Sequence, residues 1–288
     1  LVEAAVGGTT ARASNDKVRS IGYSIYYTLV NIGGAAGPFV ASYVHRHMSV
    51  ENVFRVAAVS VFVMFFAVLM LFKEPRKDGD APPPSLAETG RNFLTVVSNP
   101  KFMLFLLIFT GYWVVYWQEF ITLPLYVAKY IDPKADTELL LMTGPLAVIT
   151  LTVLINLATQ KIASVKAVTL GTVMSSLAWI VLIFMPTVTG VIITLVCVAL
   201  GEIVQSPRYY EYISRLAPPG QQGTYMGFAF LPIGLGSLIG GWFGGRLMHH
   251  FGEVKQQPAG MLWTIIGVGL LTAALLWAYD RMLPAKAD

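Results

Sequence analysis

Residues 73–100 read KEPRKDGDAPPPSLAETGRNFLTVVSNP. This is the longest polar stretch in the interior of a chain that is 55% apolar and only 12% charged. Its first part carries mixed charge and then Pro82, Pro83 and Pro84, the composition of an extended linker. Ser85-Leu86-Ala87-Glu88 fits a capping box, in which a serine and a glutamate satisfy the first backbone N–H groups of a helix. Leu86, Phe93, Leu94 and Val97 then recur at helical spacing, so the sequence predicts a short helix lying on a membrane surface. Two long apolar stretches precede this segment and six follow it.

Those stretches occupy residues 20–43, 53–72, 102–128, 139–157, 167–185, 188–216, 225–248 and 260–282. Each is long enough to cross hydrocarbon, which takes about 20 residues of helix. A soluble domain carries roughly twice this density of charge. The 288-residue chain, with a mean hydropathy of +0.63, is therefore no disordered chain, nucleic-acid-binding domain or ordinary water-soluble enzyme. The net charge of +4 falls between the apolar runs, where it sets topology. Of the 20 lysines and arginines, only Arg46, Arg55, Lys129, Lys134, Arg246 and Lys255 lie on the side opposite the termini. Both termini are thus expected in the cytoplasm, and the protein in the cell (inner) membrane. Cys197 is the single cysteine, so no disulfide framework or cysteine metal cluster is expected. His45, His47, His249 and His250 sit at span ends and read as interfacial, so no metal and no cofactor is assigned.

Two spans before a linker and six after it become intelligible if four more precede them in the same chain. The plan then resembles the major facilitator superfamily, two six-helix bundles related by an axis along the membrane normal. The fold class is an all-α polytopic membrane protein, a facilitator fold lacking its first four helices and holding eight. Residues 1–76 are the end of the N-terminal bundle (helices five and six), 77–100 the cytoplasmic linker and 101–288 the C-terminal bundle (helices seven to twelve).

Charged and polar groups inside spans mark function, because a carboxylate at mid-bilayer costs about 2.5–3.5 kcal/mol and persists where it faces a cavity or a partner. Glu202 is the sharpest case. Gln205, Ser206 and Tyr209 follow it at i+3, i+4 and i+7 on one helical face, and Pro207 frees the carbonyl of Ile203. Glu202 is assigned as a proton carrier or the counter-charge of a substrate amine, against the alternative of a structural carboxyl. Gln118 and Glu119, among Trp113, Tyr116 and Trp117, are read as a gate or substrate contact, against a helix-packing pair; Pro124 is expected to bend the outer end of this span. Tyr27 and Asn31 share a face of the first span, where Asn31 suits a carbonyl or amide. Gly236, Gly240 and Gly244, with Gly241 and Gly245 repeating the step, read as close helix packing, and Pro232 as a site of bending. Arg208 and Glu211 are expected to pair at i, i+3. No Ser-His-Asp arrangement or nucleotide loop is present, so no enzyme is expected.

At these residues the chain resembles the proton-coupled oligopeptide transporters of the same superfamily. Tyr26-Tyr27-Thr28-Leu29-Val30-Asn31-Ile32-Gly33-Gly34 is similar to that family's F-Y-x-x-I-N-x-G signature. Gly201-Glu202, Ser206-Pro207 and Glu211 are similar to its G-E-x-x-x-S-P-x-x-x-E segment, and Trp113 to Gln118 to its tryptophan-to-glutamine stretch. The chain departs from the pattern at Trp117, where the family has a carboxylate, and at Thr143-Gly144-Pro145, where it has Asn-Pro. The resemblance implies alternating access driven by protons. It implies that Glu202 meets a substrate amino group, that Asn31 bonds the substrate backbone and that Trp113 shapes the pocket. The substrate-binding set is Tyr27, Asn31, Trp113, Gln118, Glu202, Ser206 and Tyr209; the proton-coupling set is Glu202 and Glu119. The expected function is proton-coupled symport of a small polar solute such as a peptide or amino-acid derivative. A facilitator of sugars, nucleosides or drugs, and a non-transporting receptor or scaffold, are the alternatives. The expected partners are protons, a small-molecule substrate and the lipid bilayer, with no nucleic acid.

Overall fold

The computed structural model describes residues 19–72, 86–218 and 221–283, all the regular structure of which is helical. The chain forms two compact units, Leu1–Pro83 and Pro84–Asp288.

The first unit holds α1 (Arg19–His47) and α2 (Val50–Leu71), joined by Met48 and Ser49. Asn52 donates to the Ser49 hydroxyl at 3.0 Å, fixing the entry to α2. No residue of α2 is buried, and Phe62, Phe65, Met70 and Leu71 stand exposed. A helix apolar all round is stable in that state in hydrocarbon, not in water.

Among the described residues, seven helical segments are long and apolar enough to cross a membrane, and six of them belong to the second unit. Helix α1 was expected as an eighth; it is 29 residues long but is not among the seven. Its polar residues, Asn31 and Tyr27 among them, and its Gly33-Gly34 pair dilute its apolarity.

The second unit opens with α3 (Leu86–Val97). Ser85, the expected cap, lies outside the described residues. Phe93, Leu94 and Val97 are exposed. The residue that docks α3 is Val96, which is wholly buried. Helix α4 (Pro100–Tyr116) starts at Asn99, whose side chain accepts from Phe102 N, with Pro100 at a first-turn position that needs no N–H. The span continues as α5 (Gln118–Tyr126) and a π-helical turn, Val127–Ile131. The regular helix breaks at Trp117, seven residues before the bend expected at Pro124, which lies inside α5. Then follow α6 (Thr137–Leu141), α7 (Thr143–Thr159), α8 (Ser164–Leu177), α9 (Trp179–Phe184) and α10 (Val188–Leu216). Helix α10 runs unbroken through Pro207. The next span is α11 (Gln222–Phe228), α12 (Leu231–Leu247) and a second π turn, Met248–Val254. It divides at Ala229 and Phe230, immediately before Pro232 at the start of α12. Helix α13 (Ala259–Met282) closes the unit.

An aromatic column binds one end of this unit. Phe109 stacks on Tyr209 at 4.3 Å, Phe105 meets Tyr212 edge-on at 4.7 Å, and the Tyr212 and Tyr279 hydroxyls are 2.9 Å apart. The other end is aliphatic around Trp179, Leu182 and Ile265. Glycines let the spans approach in between: a Cβ at Gly171 would strike the carbonyl of Gly201, and one at Gly111 the side chain of Thr272.

Candidate functional site

The stripe of glycines on α12 seats the α4–α5 break. A Cβ at Gly236 would overlap Trp113, one at Gly240 would lie 3.3 Å from the Gln118 amide, and one at Gly244 would lie 2.8 Å from Thr122 Oγ1. Gly241 and Gly245 meet nothing within 4 Å. Gln118 is fully buried in this seam. Its Nε2 donates to Val114 O at 2.8 Å and Gly240 O at 3.2 Å, while its Oε1 accepts from Thr122 at 2.6 Å. Every polar function of the Gln118 side chain is thus engaged within the protein. The packing reading describes Gln118 in this conformation better than substrate contact does. Trp117 donates from Nε1 to Ile233 O at 3.2 Å, tying the break to the start of α12.

The seam aims the opposite faces of α4 and α5 at α10. There the Tyr116 hydroxyl donates to Glu202 Oε2 at 3.2 Å. Glu119, only 3% exposed, interacts electrostatically with Glu202 and makes no hydrogen bond among the described residues. Its Oε1 lies over Gly144 of α7. Tyr112, one turn before Tyr116, faces Ser175 of α8 and Gln205 of α10. The Tyr112 hydroxyl, Trp113 Nε1 and Gln205 Oε1 are buried without a hydrogen-bond partner. Polar atoms left in that state cost about 1–3 kcal/mol each and call for a reason, such as an occupant in another state. Two carboxylates, two tyrosines and a tryptophan therefore converge on one region from two spans, α4–α5 and α10, with Gly144 of α7 and Ser175 of α8 beside them.

Of the residues assigned from sequence, Glu202, Glu119 and Trp113 come together here. Ser206 lies on α10 one turn along from Glu202 and is partly exposed. Tyr209 does not face this region. It is buried in the aromatic column, and its hydroxyl donates to Ala229 O at 2.7 Å, bracing the α11–α12 break. Asn31 is partly buried on α1 of the first unit. The side chain of Tyr27 lies outside the described residues. Sequence reasoning left Tyr112 and Ser175 aside and gave Tyr116 no bond; the i, i+4 spacing of the two tyrosines was the available signal.

Arg208 and Glu211 pair as expected, at 2.6 Å. Glu211 also takes Arg215 at 2.8 Å, and Arg208 reaches Thr159 O at the end of α7 at 3.4 Å. His249 pairs with Glu253 at 2.8 Å on the exposed π turn.

Tyr116→Phe keeps the ring and removes the donor to Glu202. It is expected to lower stability by about 1 kcal/mol, read as a lower thermal midpoint in detergent. An unchanged midpoint would show that the bond contributes nothing to the resting fold.

The model of the Major Facilitator Superfamily matches this chain over residues 1–231 and again over 108–287. The chain belongs to the Major Facilitator Superfamily. Among curated proteins it is similar to the multidrug resistance protein MdtH of Aeromonas salmonicida, 27% identical over 257 residues, covering 88% of this chain and 62% of that protein. It is also similar to the uncharacterised MFS-type transporter YqjV of Bacillus subtilis, 26% identical over 295 residues, covering 98% of this chain and 69% of the relative. The chain thus spans only part of the length of these relatives. Among solved structures it shares the fold of a POT family transporter in complex with 5-aminolevulinic acid, at a TM-score of 0.76 and 16% identity, covering 96% of this chain and 73% of that one. A POT family transporter in complex with a thioalcohol conjugated peptide matches at a TM-score of 0.75 and 16% identity, covering 94% and 71%. The resemblance stated from helix motifs is in keeping with these neighbours. The chain is that of a multi-pass membrane protein.

Proposed function

We propose that this protein is a secondary transporter that moves a small polar organic solute by alternating access, coupled to protons, with both termini in the cytoplasm of an inner membrane. The observation that supports this most is Glu202, a carboxylate inside a membrane-spanning helix, held by Tyr116 beside a second carboxylate, Glu119. Such groups are retained where they exchange a proton or meet a charge. Glu202 would serve the solute's amino group or the proton. Trp113, Tyr112 and Tyr116 would supply its walls, and the unpartnered atoms of Tyr112, Trp113 and Gln205 would bond its polar parts. Ser206, one turn along α10 from Glu202, would add a polar contact. The expected solutes are peptides or amino-acid derivatives; the neighbours crystallised with a peptide conjugate and with 5-aminolevulinic acid have solutes of that kind.

A second reading, transport of drugs, is favoured by the name of the MdtH relatives and by the aromatic lining. The test is uptake into liposomes holding the full chain, with an imposed pH gradient. A labelled dipeptide and a labelled cationic dye are followed, each competed by amino-acid derivatives, sugars and nucleosides. Gradient-driven accumulation of the dipeptide supports the first reading. Gradient-driven movement of the dye alone supports the second. Tight binding with no flux at any gradient would overturn both in favour of a receptor or scaffold.

A further inference from the structure

Glu119 and Gly144 come from different spans and meet in the folded unit. A β-carbon placed on Gly144 would lie 3.0 Å from Glu119 Oε1, closer than ordinary β-carbon contacts. The carboxylate therefore rests in the notch left by the missing side chain on α7. No hydrogen bond among the described residues orients it, so this contact and its packing fix its position. The titratable groups that act on it are Glu202 from α10 and Tyr112 and Tyr116 from α4.

We propose that Gly144 is a positioning residue: the absence of a side chain at 144 sets where the Glu119 carboxylate lies relative to Glu202, and so sets how the pair shares a proton. This rests on the proton-coupled reading above. A moved carboxylate changes its interaction with the other, because the energy of two charges depends directly on their separation at low dielectric.

The obstruction at 144 is the far end of a flexible side chain, so the fold absorbs a methyl group by letting Glu119 swing aside. Gly144→Ala is expected to fold with an unchanged thermal midpoint. Its pH profile of gradient-driven uptake is expected to move by roughly half a unit or more. Glu119→Asp is one methylene shorter and makes room, so Gly144→Ala with Glu119→Asp should return the profile toward that of Glu119→Asp alone. In a Glu119→Gln background Gly144→Ala should move nothing. A transport-independent readout runs in parallel: the pH titration of tryptophan fluorescence, with Trp113 and Trp117 edge-on to Tyr116, which holds Glu202. If wild type shows no proton-driven uptake but its fluorescence titration shifts in Gly144→Ala and not in the Glu119→Gln background, the coupling reading fails and the positioning role stands. If neither profile moves in Gly144→Ala, or if both move equally without Glu119, the positioning role is overturned.

Discussion

Glu202→Gln is expected to abolish gradient-driven accumulation, by about 100-fold or more, while leaving exchange of solute across reconstituted membranes measurable. Glutamine keeps the shape of the side chain, and its Oε1 still accepts from the Tyr116 hydroxyl, which lies 3.2 Å from Glu202. What it loses is the ability to take up and release a proton. Exchange of solute on both sides needs only that the loaded carrier reorient, so it survives; net accumulation needs the proton. Glu211→Gln is the control. Glu211 lies on the same helix, but it is neutralised by Arg208 at 2.6 Å and Arg215 at 2.8 Å. Its loss should leave the gradient dependence intact. Accumulation by Glu202→Gln at the wild-type level would sink the role assigned to this carboxylate. An equal loss in Glu211→Gln would show that the effect reports general damage to α10.

The second large effect is expected in stability and separates two sets of glycines that look alike in sequence. Gly236→Ala should lower the thermal midpoint strongly, at a cost of about 1–3 kcal/mol. The new β-carbon would overlap Trp113 and lie 3.0 Å from its backbone carbonyl carbon, so a whole helix must retreat. Gly241→Ala, five residues on, faces open space. It should be neutral or stabilising by up to about 1 kcal/mol, because alanine has the better helix propensity. Unfolding followed in detergent for the two variants side by side decides the matter. Equal midpoints would show that the stripe is not the seam between α12 and the α4–α5 break.

Much of this was legible in the chain itself. The apolar runs of about 20 residues and the polar stretch 73–100 gave a membrane protein with six spans after that stretch, since hydrocarbon leaves a backbone few options besides helix; of the two expected before it, α2 is apolar enough to cross and α1 is not among the seven found in the described residues. Glu202 stood out because a carboxylate in a run such as VALGEIVQ is costly in hydrocarbon, with a structural carboxyl as the alternative reading. The Arg208–Glu211 pair followed from helical periodicity alone. Other assignments depended on which way a face turns. Gln118 and Glu119 are adjacent, about 100° apart on a helix. Periodicity says that they diverge but not which one meets α12 and which one meets α7. Tyr209 shares the stripe of Glu202 by count, yet its hydroxyl is consumed by Ala229 O.

The sequence by itself determined the class, seven of the eight spans and the presence of a costly carboxylate inside one of them, because these follow from the cost of polar groups in hydrocarbon, a property local to each run. Only the tertiary structure decided that Tyr116 holds Glu202, that Gly236, Gly240 and Gly244 are occupied while Gly241 and Gly245 are open, and that Glu119 rests against Gly144. Those facts depend on which faces of distant spans are pressed together, and helical spacing within one span carries no record of its neighbour.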